Sequence, residues 1–124
     1  MTDWQTAGMS KPLGPYTPIV RAGEWLVVSG QLGLVDDDLA NGIEAQTRQA
    51  IANLAALLEG EGAGLGDVVK TTVFLRHLGS DYSSMNEAYV DAFGGHLPAR
   101  SAIGVAELPK GALVEVEAWA RSKA

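Results

Sequence analysis

Two helical segments lie between blocks of strand-forming residues, and this alternation constrains the fold more than any other feature of the chain. From Ile43 to Leu58, apolar residues recur at the spacing of one helix face. Gly60 and Gly62 follow directly and end the pattern, because glycine is the usual residue at a helix C-terminus. The segment therefore predicts an amphipathic helix that packs one face against a core.

A second helix is predicted after residue 79. Ser80 or Asp81 is the expected N-terminal cap, since either side chain can accept a hydrogen bond from a free backbone N–H group. Gly94-Gly95 marks the expected end of this helix. Its apolar face consists of Tyr82, Met85, Tyr89 and Phe93.

Strands are predicted on both sides of these helices, where β-branched residues are dense. They are expected near Ile19–Arg21, at Glu24–Gly30 as a buried central strand, at Asp67–Leu78, from about Arg100 to Leu108, and at Leu113–Trp119. The segment Gln31–Gly42 is rich in turn formers and predicts a loop or a wide hairpin.

This order of elements predicts an α+β fold in one domain, residues 1–124, with two helices packed on one face of a mixed β-sheet. The opposite face of the sheet is then uncovered, and it has to carry Leu113 and Trp119 beside carboxylates. An uncovered apolar face favours a protein partner. We therefore expect the chain to form a homo-oligomer through its sheet.

Composition excludes several classes of function. The net charge is −6 and there are only nine lysines and arginines, so a nucleic-acid partner is not expected. With no cysteine and two separated histidines, we expect neither a metal site nor another cofactor. Residues 1–14 lack a basic segment followed by an apolar run, and no stretch is long enough to span a membrane. A cytoplasmic location without a membrane partner is expected.

Arg100 is the first candidate site residue. The residues that share its strand face by alternation, Ala102, Gly104 and Ala106, are all small and leave space around the guanidinium. A fixed arginine with open space in front of it suits bidentate binding of a carboxylate. A structural salt bridge to Glu115 or Glu117 is an equally good interpretation of its position.

Glu115 and Glu117 lie within the alternating strand, on the face opposite Val114, Val116 and Ala118. A carboxylate in so apolar a stretch is costly unless it is paired. Partial burial raises the pKa of a carboxyl group, which suits proton transfer near neutral pH. Both side chains could instead simply face solvent on an edge strand.

Three further polar residues are candidates for a pocket. Tyr16 lies in a turn-rich segment between two prolines, Ser29 lies at a strand end, and Asn86 lies within the second helix, where it favours a hydrogen-bonding role. A serine-hydrolase site is not expected, because no recognisable elbow motif connects Ser29 with His77 or His96.

The chain resembles the RidA (YjgF) family, and the matching motifs cover nearly all of it from Gly14 onward. They are Gly14-Pro15-Tyr16, Val28-Ser29-Gly30-Gln31, Ile43-Glu44-Ala45-Gln46-Thr47-Arg48-Gln49, Asp67 to Leu75, Met85-Asn86-Glu87 with Tyr89, Pro98-Ala99-Arg100-Ser101, and Leu108-Pro109-Lys110 leading into Val114 to Ala118. The Pro-Ala-Arg-Ser and Leu-Pro-Lys motifs are the most specific.

The resemblance implies a chorismate-mutase-like fold, a homotrimer with clefts between subunits, and a small imino or enamino acid as substrate. The implied reaction is hydrolytic deamination of 2-iminopropanoate and 2-iminobutanoate to 2-keto acids and ammonia. Arg100 is implied to bind the substrate carboxylate with backbone groups near Ala102, and Glu115 to handle the attacking water. Tyr16, Ser29 and Asn86 are implied to line the cleft.

The chain departs from the family pattern at two places. Ala102 occupies the position where many relatives carry a cysteine, so chemistry that depends on that thiol does not apply. Gln31-Leu32-Gly33-Leu34 and the acidic run Asp36–Asp38 also differ from the usual sequence, which leaves the preferred substrate open. The alternative function is a non-catalytic small-ligand-binding or protein-protecting module of the same fold. Ribonuclease activity, attached to some relatives, fits the acidic composition poorly.

Overall fold

A computed structural model of the chain describes residues 12–123. The N-terminal residues 1–11, on which the expectation about a leader segment partly depends, lie outside the described part. The strands and helices follow each other as β1 (Ile19–Ala22), β2 (Trp25–Leu32), β3 (Leu34–Val35), β4 (Asp38–Leu39), α1 (Ile43–Glu59), β5 (Val68–Leu75), α2 (Leu78–Phe93), β6 (Ala99–Gly104) and β7 (Val114–Arg121).

Five strands form one mixed sheet in the order β1-β2-β7-β5-β6, in which β5 and β6 are parallel and the other neighbours are antiparallel. The short strands β3 and β4 pair separately as a hairpin. α1 and α2 pack against each other and against the sheet, and the α+β class with a mixed sheet and two helices is confirmed.

The core lies between the helices and one face of the sheet. It is made of aliphatic side chains from both layers, such as Leu54 and Leu58 of α1, Met85 of α2, and Val73 and Val116 of the sheet, all of them fully buried. Burial of each such side chain contributes roughly 1.5–3 kcal/mol relative to its exposure to water. The predicted amphipathic pattern of the first helix is therefore confirmed by the residues that it buries.

The alternation predicted for the last strand is also confirmed. Val114, Val116 and Ala118 are buried toward the helices, and Trp119 projects from the opposite face with 46% of its surface exposed. Trp25 of the neighbouring strand lies with its ring centroid 6.1 Å from that of Trp119, in an edge-to-face arrangement. This sheet face is uncovered in the single chain, and the predicted homotrimer stays a prediction.

Several element boundaries differ from the sequence prediction. Strand β2 continues through Gln31 and Leu32, the first two residues of the segment predicted as a loop or wide hairpin. The strand predicted to reach Leu78 ends at Leu75, and α2 begins at Leu78 with His77 at the cap position, so the predicted caps Ser80 and Asp81 are wrong. His77 makes no side-chain capping hydrogen bond. Both Ser80 and Asp81 already lie in the first turn of the helix.

The strand predicted from Arg100 to Leu108 ends at Gly104. The physical reason is that β6 is an edge strand paired only with β5, whose last residue, Leu75, lies opposite Gly104. Beyond that point, no strand in the described part of the chain pairs with it. The predicted central strand, β2, has neighbours on both sides, but β7 occupies the middle position.

The segment predicted as a loop or wide hairpin forms the hairpin of β3 and β4. Asp36 and Asp37 lie at its tip with positive φ angles of 50° and 70°. Two successive residues in this region form the tight hairpin turn that matches the twist of its strands. The Lys110 ammonium donates a hydrogen bond to the Asp37 carbonyl oxygen, which ties the hairpin to the segment before β7.

Candidate functional site

Arg100 lies on the helix-facing side of the sheet. It is paired in register with Thr71 of β5, whereas Glu115 is paired with Phe74, which lies three residues further along β5. Because paired residues project from the same face and successive residues alternate, Arg100 and Glu115 project from opposite faces. The alternative interpretation of Arg100 as a salt-bridge partner of Glu115 or Glu117 is therefore wrong for the single chain.

The Arg100 guanidinium is surrounded by side chains of α2 rather than by acids. Its Cζ atom lies 4.9 Å from the ring centroid of Tyr89 and 5.7 Å from that of Tyr82. Nη2 donates a hydrogen bond to the Tyr82 hydroxyl oxygen at 3.3 Å, and Nη1 lies 3.9 Å from the Met85 sulfur, a weak acceptor. Within residues 12–123, Arg100 makes no ion pair with a carboxylate.

Tyr89 supports the guanidinium from the core side. Its hydroxyl forms a 2.6 Å hydrogen bond with the buried Thr71 hydroxyl, and its ring packs 4.7 Å from that of Phe93. Burial raises the pKa of the Tyr89 phenol, while the bond to Thr71 and the charge of Arg100 oppose that rise. The phenol is therefore neutral at physiological pH and offers a fixed aromatic face to the cation.

A cavity of about 510 Å³ opens in front of Arg100. Its lining also includes Ala102 on the same strand and three residues of α2, namely Leu78, Gly79 and Tyr82. The small residues predicted around Arg100 are present at Ala102 and Gly104, but Ala106 lies beyond the end of β6 and does not share its strand face. The cavity therefore has one cationic side chain, Arg100, beside a largely apolar wall.

A second cavity, of about 360 Å³, brings Tyr16, Ser29 and Glu115 together. It is completed by Leu13, Gly14, Gly30, Leu32 and Pro109. The Ser29 hydroxyl donates a hydrogen bond to the Pro18 carbonyl oxygen at 3.1 Å, which fixes its rotamer. A β-bulge between Val28 and Gln31 interrupts the pairing of β2 with β7 at this point.

Gly30 lets the Glu115 side chain lie across the bulge. A Cβ atom at Gly30 would overlap the Glu115 carboxylate, with Cδ only 2.6 Å away. Burial raises the pKa of the Glu115 carboxyl group, and the nearby charge of Glu117 raises it further. The Glu115 carboxyl group is thus partly desolvated and lies against Gly30, where any larger residue would overlap it.

Asn86 lies in α2 and lines neither of the two cavities. Its Oδ1 atom is buried without a hydrogen-bond partner among the described residues. Within one chain, the predicted site residues thus fall into two groups, Arg100 with Ala102 and Tyr16 with Ser29 and Glu115, and Asn86 belongs to neither group.

The sequence analysis missed the residues that surround the guanidinium. Tyr82, Met85 and Tyr89 had been assigned only to the apolar face of the second helix. Their spacing of three, four and seven residues does place them on one face, but the sequence does not show that β6 passes in front of that face. No local pattern identifies Thr71 as the partner of Tyr89.

Neither a cluster of metal-binding side chains nor a membrane-spanning helix is present among the described residues. No group of three or more histidine, aspartate or glutamate side chains in residues 12–123 is arranged to hold a metal ion. No helix in that range has both the length and the apolar character to cross a membrane.

Comparisons with known proteins give consistent matches. The family model described as endoribonuclease L-PSP matches residues 7–122. A RutC family protein of Pyrococcus horikoshii is 41% identical over 118 residues, which cover 93% of each chain. A mouse protein named 2-iminobutanoate/2-iminopropanoate deaminase is 40% identical over 111 residues, 87% of this chain and 82% of the mouse protein. The crystal structure of RidA from an Antarctic Psychrobacter is 39% identical with a TM-score of 0.88 and covers 94% of this chain and 96% of that one.

Proposed function

This chain belongs to the RidA (YjgF) family, and we propose that it hydrolyses 2-imino acids such as 2-iminopropanoate and 2-iminobutanoate to 2-keto acids and ammonia. The names of several relatives, the mouse deaminase among them, support this assignment. The observation that carries the proposal is Arg100, a cation facing a cavity without a carboxylate partner among residues 12–123.

Arg100 binds the substrate carboxylate in this proposal. A guanidinium presents a planar pair of donors that matches the two oxygens of a carboxylate, and such charge-assisted pairs are about twice as strong as neutral hydrogen bonds. The edge strand β6 also has free backbone groups near Ala102 on the side away from β5, because β5 is its sole neighbour in the sheet formed by residues 12–123. Together they can orient a small acid in front of the guanidinium.

In this proposal Glu115 activates the attacking water. The Glu115 side chain comes from a subunit next to the one that contributes Arg100. The Arg100 cavity and the Glu115 cavity belong to opposite faces of the same sheet, so one chain cannot present both to one small molecule. A homotrimer that covers the exposed Trp25 and Trp119 side chains can place the Glu115 cavity of one subunit against the Arg100 cavity of the next. The cleft between subunits is then the active site.

The reaction needs orientation more than a strong nucleophile, because a protonated imine is already electrophilic. Glu115 takes a proton from a water molecule as the water oxygen attacks the imine carbon, and a carbinolamine forms. The protonated carboxyl group then returns its proton to the amine nitrogen. The C–N bond breaks and ammonia leaves, while the Glu115 carboxylate takes the carbinol O–H proton and the carbinol oxygen becomes the keto group. The raised pKa of Glu115 suits both proton transfers.

The remaining candidates take positioning roles. Tyr16 and Ser29 share the cavity with Glu115 and can orient the attacking water. Asn86 has a buried acceptor oxygen without a partner in the described chain, and we propose that it holds the cleft wall through contacts completed in the trimer. The enzyme is expected to act in the cytoplasm and to need no cofactor.

A catalytic role is separated from mere ligand binding by competition with semicarbazide, which traps imines chemically. An enzyme that hydrolyses the imine released by threonine dehydratase lowers the yield of semicarbazone, whereas a protein that only binds the product leaves the yield unchanged. The Arg100→Ala variant is the matched control, since it removes the proposed clamp from a half-exposed surface position.

A further inference from the structure

Tyr82 is the second aromatic side chain that contacts the Arg100 guanidinium, and its environment differs from that of Tyr89. Tyr89 is 3% exposed and its hydroxyl is bound to Thr71 in the core. Tyr82 is 42% exposed and lines the cavity in front of Arg100. Packing in the core therefore accounts for Tyr89 but not for Tyr82.

The Tyr82 hydroxyl has an unused donor. Its oxygen accepts a hydrogen bond from Arg100 Nη2 at 3.3 Å, which leaves its own hydrogen free to point elsewhere. Among residues 12–123, the Tyr82 hydroxyl makes no hydrogen bond besides the one from Arg100. The Tyr82 hydroxyl is thus a hydrogen-bond donor in the lining of the cavity, next to the Arg100 guanidinium.

We propose that Tyr82 is a substrate-binding residue, whose hydroxyl donates a hydrogen bond to the carboxylate that Arg100 holds. This inference rests on the proposed function and adds a phenol donor to the guanidinium and backbone groups of the carboxylate site. The geometry supports it, because Nη2 and the phenol oxygen are only 3.3 Å apart. A carboxylate oxygen about 2.8 Å from Nη2 can also lie within hydrogen-bond distance of the phenol.

The contact also explains the side from which a substrate must approach. Tyr89 covers the guanidinium from the core, and Leu78 and Gly79 form the wall of the cavity near the start of α2. Tyr82 lies beside the guanidinium in the lining of the same cavity, so a carboxylate that reaches Arg100 through this cavity meets the phenol. A carboxylate oxygen accepts the phenol hydrogen more strongly than the oxygen of a neutral ligand does.

The test compares binding of 2-oxobutanoate, a stable keto acid of the expected product class, to four forms of the full-length protein by isothermal titration calorimetry. They are the unchanged protein, Tyr82→Phe, Ser83→Ala and Arg100→Ala. Tyr82→Phe removes only the hydroxyl oxygen from an exposed position. Ser83→Ala is the matched control, because it removes an exposed hydroxyl from the adjacent position of the same helix, outside the cavity lining.

We expect Tyr82→Phe to weaken binding about tenfold, as is typical for one lost hydrogen bond to a charged group. Ser83→Ala should bind as the unchanged protein does, and Arg100→Ala should show no measurable binding. In imine hydrolysis Tyr82→Phe should raise KM and leave kcat nearly unchanged, because the carboxylate is bound equally in the ground state and the transition state. A merely structural role of Tyr82 would not raise KM while leaving kcat nearly unchanged.

Unchanged affinity of Tyr82→Phe, with binding lost in Arg100→Ala, overturns the inference and leaves the proposed carboxylate clamp standing. Equal losses in Tyr82→Phe and Ser83→Ala also overturn it, since they indicate a general effect on the helix. Full binding by Arg100→Ala contradicts the proposed function and this inference together.

Discussion

The Arg100 guanidinium lies over the ring of Tyr89, with Cζ 4.9 Å from the ring centroid, while the Tyr89 hydroxyl is bound to Thr71 at 2.6 Å. Thr71 is also the residue paired with Arg100 across the parallel strands β5 and β6. The backbone partner of Arg100 therefore holds the ring that supports its side chain. This closed arrangement fixes the cation in the position where a substrate carboxylate is proposed to bind.

The Thr71 and Tyr89 pair predicts a non-additive pair of substitutions. Thr71→Val leaves the buried Tyr89 hydroxyl without a partner, and Tyr89→Phe leaves the Thr71 hydroxyl without one. Each should lower the free energy of unfolding by about 1–3 kcal/mol. The double variant removes both polar groups and should recover most of that loss. Denaturant unfolding at one fixed protein concentration measures the cycle, and simple addition of the two costs would contradict the arrangement.

Gly30→Ala should impair catalysis strongly, although neither the proposed general base, Glu115, nor the proposed carboxylate-binding residue, Arg100, is substituted. The added methyl group overlaps the Glu115 carboxylate, so this side chain must shift from its present position in the cavity. Loss of a positioned general base typically costs 10²–10⁴-fold in rate, so we expect at least about a hundredfold lower kcat/KM. Gly66→Ala is the control, because a Cβ atom there meets nothing within 4 Å. Similar losses in both variants would argue against a role of Gly30 in placing Glu115.

Glu115→Gln should stabilise the protein near pH 7 and abolish its activity. Burial and the charge of Glu117 raise the pKa of Glu115 in the folded protein above its ordinary value of 4.5. The folded state therefore binds the proton more tightly than the unfolded state, and the penalty of the charged carboxylate grows as the pH rises through the interval between the two pKa values.

The glutamine variant carries no such charge, so its advantage in the free energy of unfolding should be full above the raised pKa and vanish below pH 4.5. Unfolding curves of both proteins across the pH range check this sign. A variant that is less stable at pH 7, or equally stable at every pH, would show that Glu115 is not desolvated in the assembled protein.

Trp119→Glu should dissociate the proposed trimer and inactivate the enzyme. The substitution places a charge on the exposed sheet face, next to Trp25, where the account expects a second subunit to pack. Val90→Glu is the control, because Val90 is similarly exposed at 49% but lies on α2. Sedimentation velocity at micromolar concentration should show a trimer for the unchanged protein and for Val90→Glu. A monomeric, active Trp119→Glu variant would contradict a site shared between subunits.

Local sequence patterns predicted the elements of this fold well. The period of two in β7 identified which of its residues are buried, and the period of the α1 segment identified the helix face toward the core. The glycines after α2 marked its end correctly, since Gly94 adopts the left-handed conformation at the C-cap. These signals are local, so one sequence is sufficient to interpret them.

Long-range pairing was not predictable in the same way. Whether Arg100 and Glu115 project from one face depends on the order β7-β5-β6 and on the register of both pairings, and neither is encoded near the two residues. The end of β6 likewise depends on where β5 ends. The resemblance to a family named the candidates for a site, and the structure separates them into two surfaces of the chain.

The central claim is that Arg100 binds the carboxylate of an imino acid that this protein hydrolyses, and the most direct measurement is the semicarbazide competition with threonine dehydratase. The unchanged protein should lower the semicarbazone yield in proportion to its concentration. Arg100→Ala should have an effect at least about a hundredfold smaller while it remains a trimer, because an unclamped carboxylate leaves the imine unoriented. Full activity in Arg100→Ala, or an unchanged semicarbazone yield with the unchanged protein, would contradict the account.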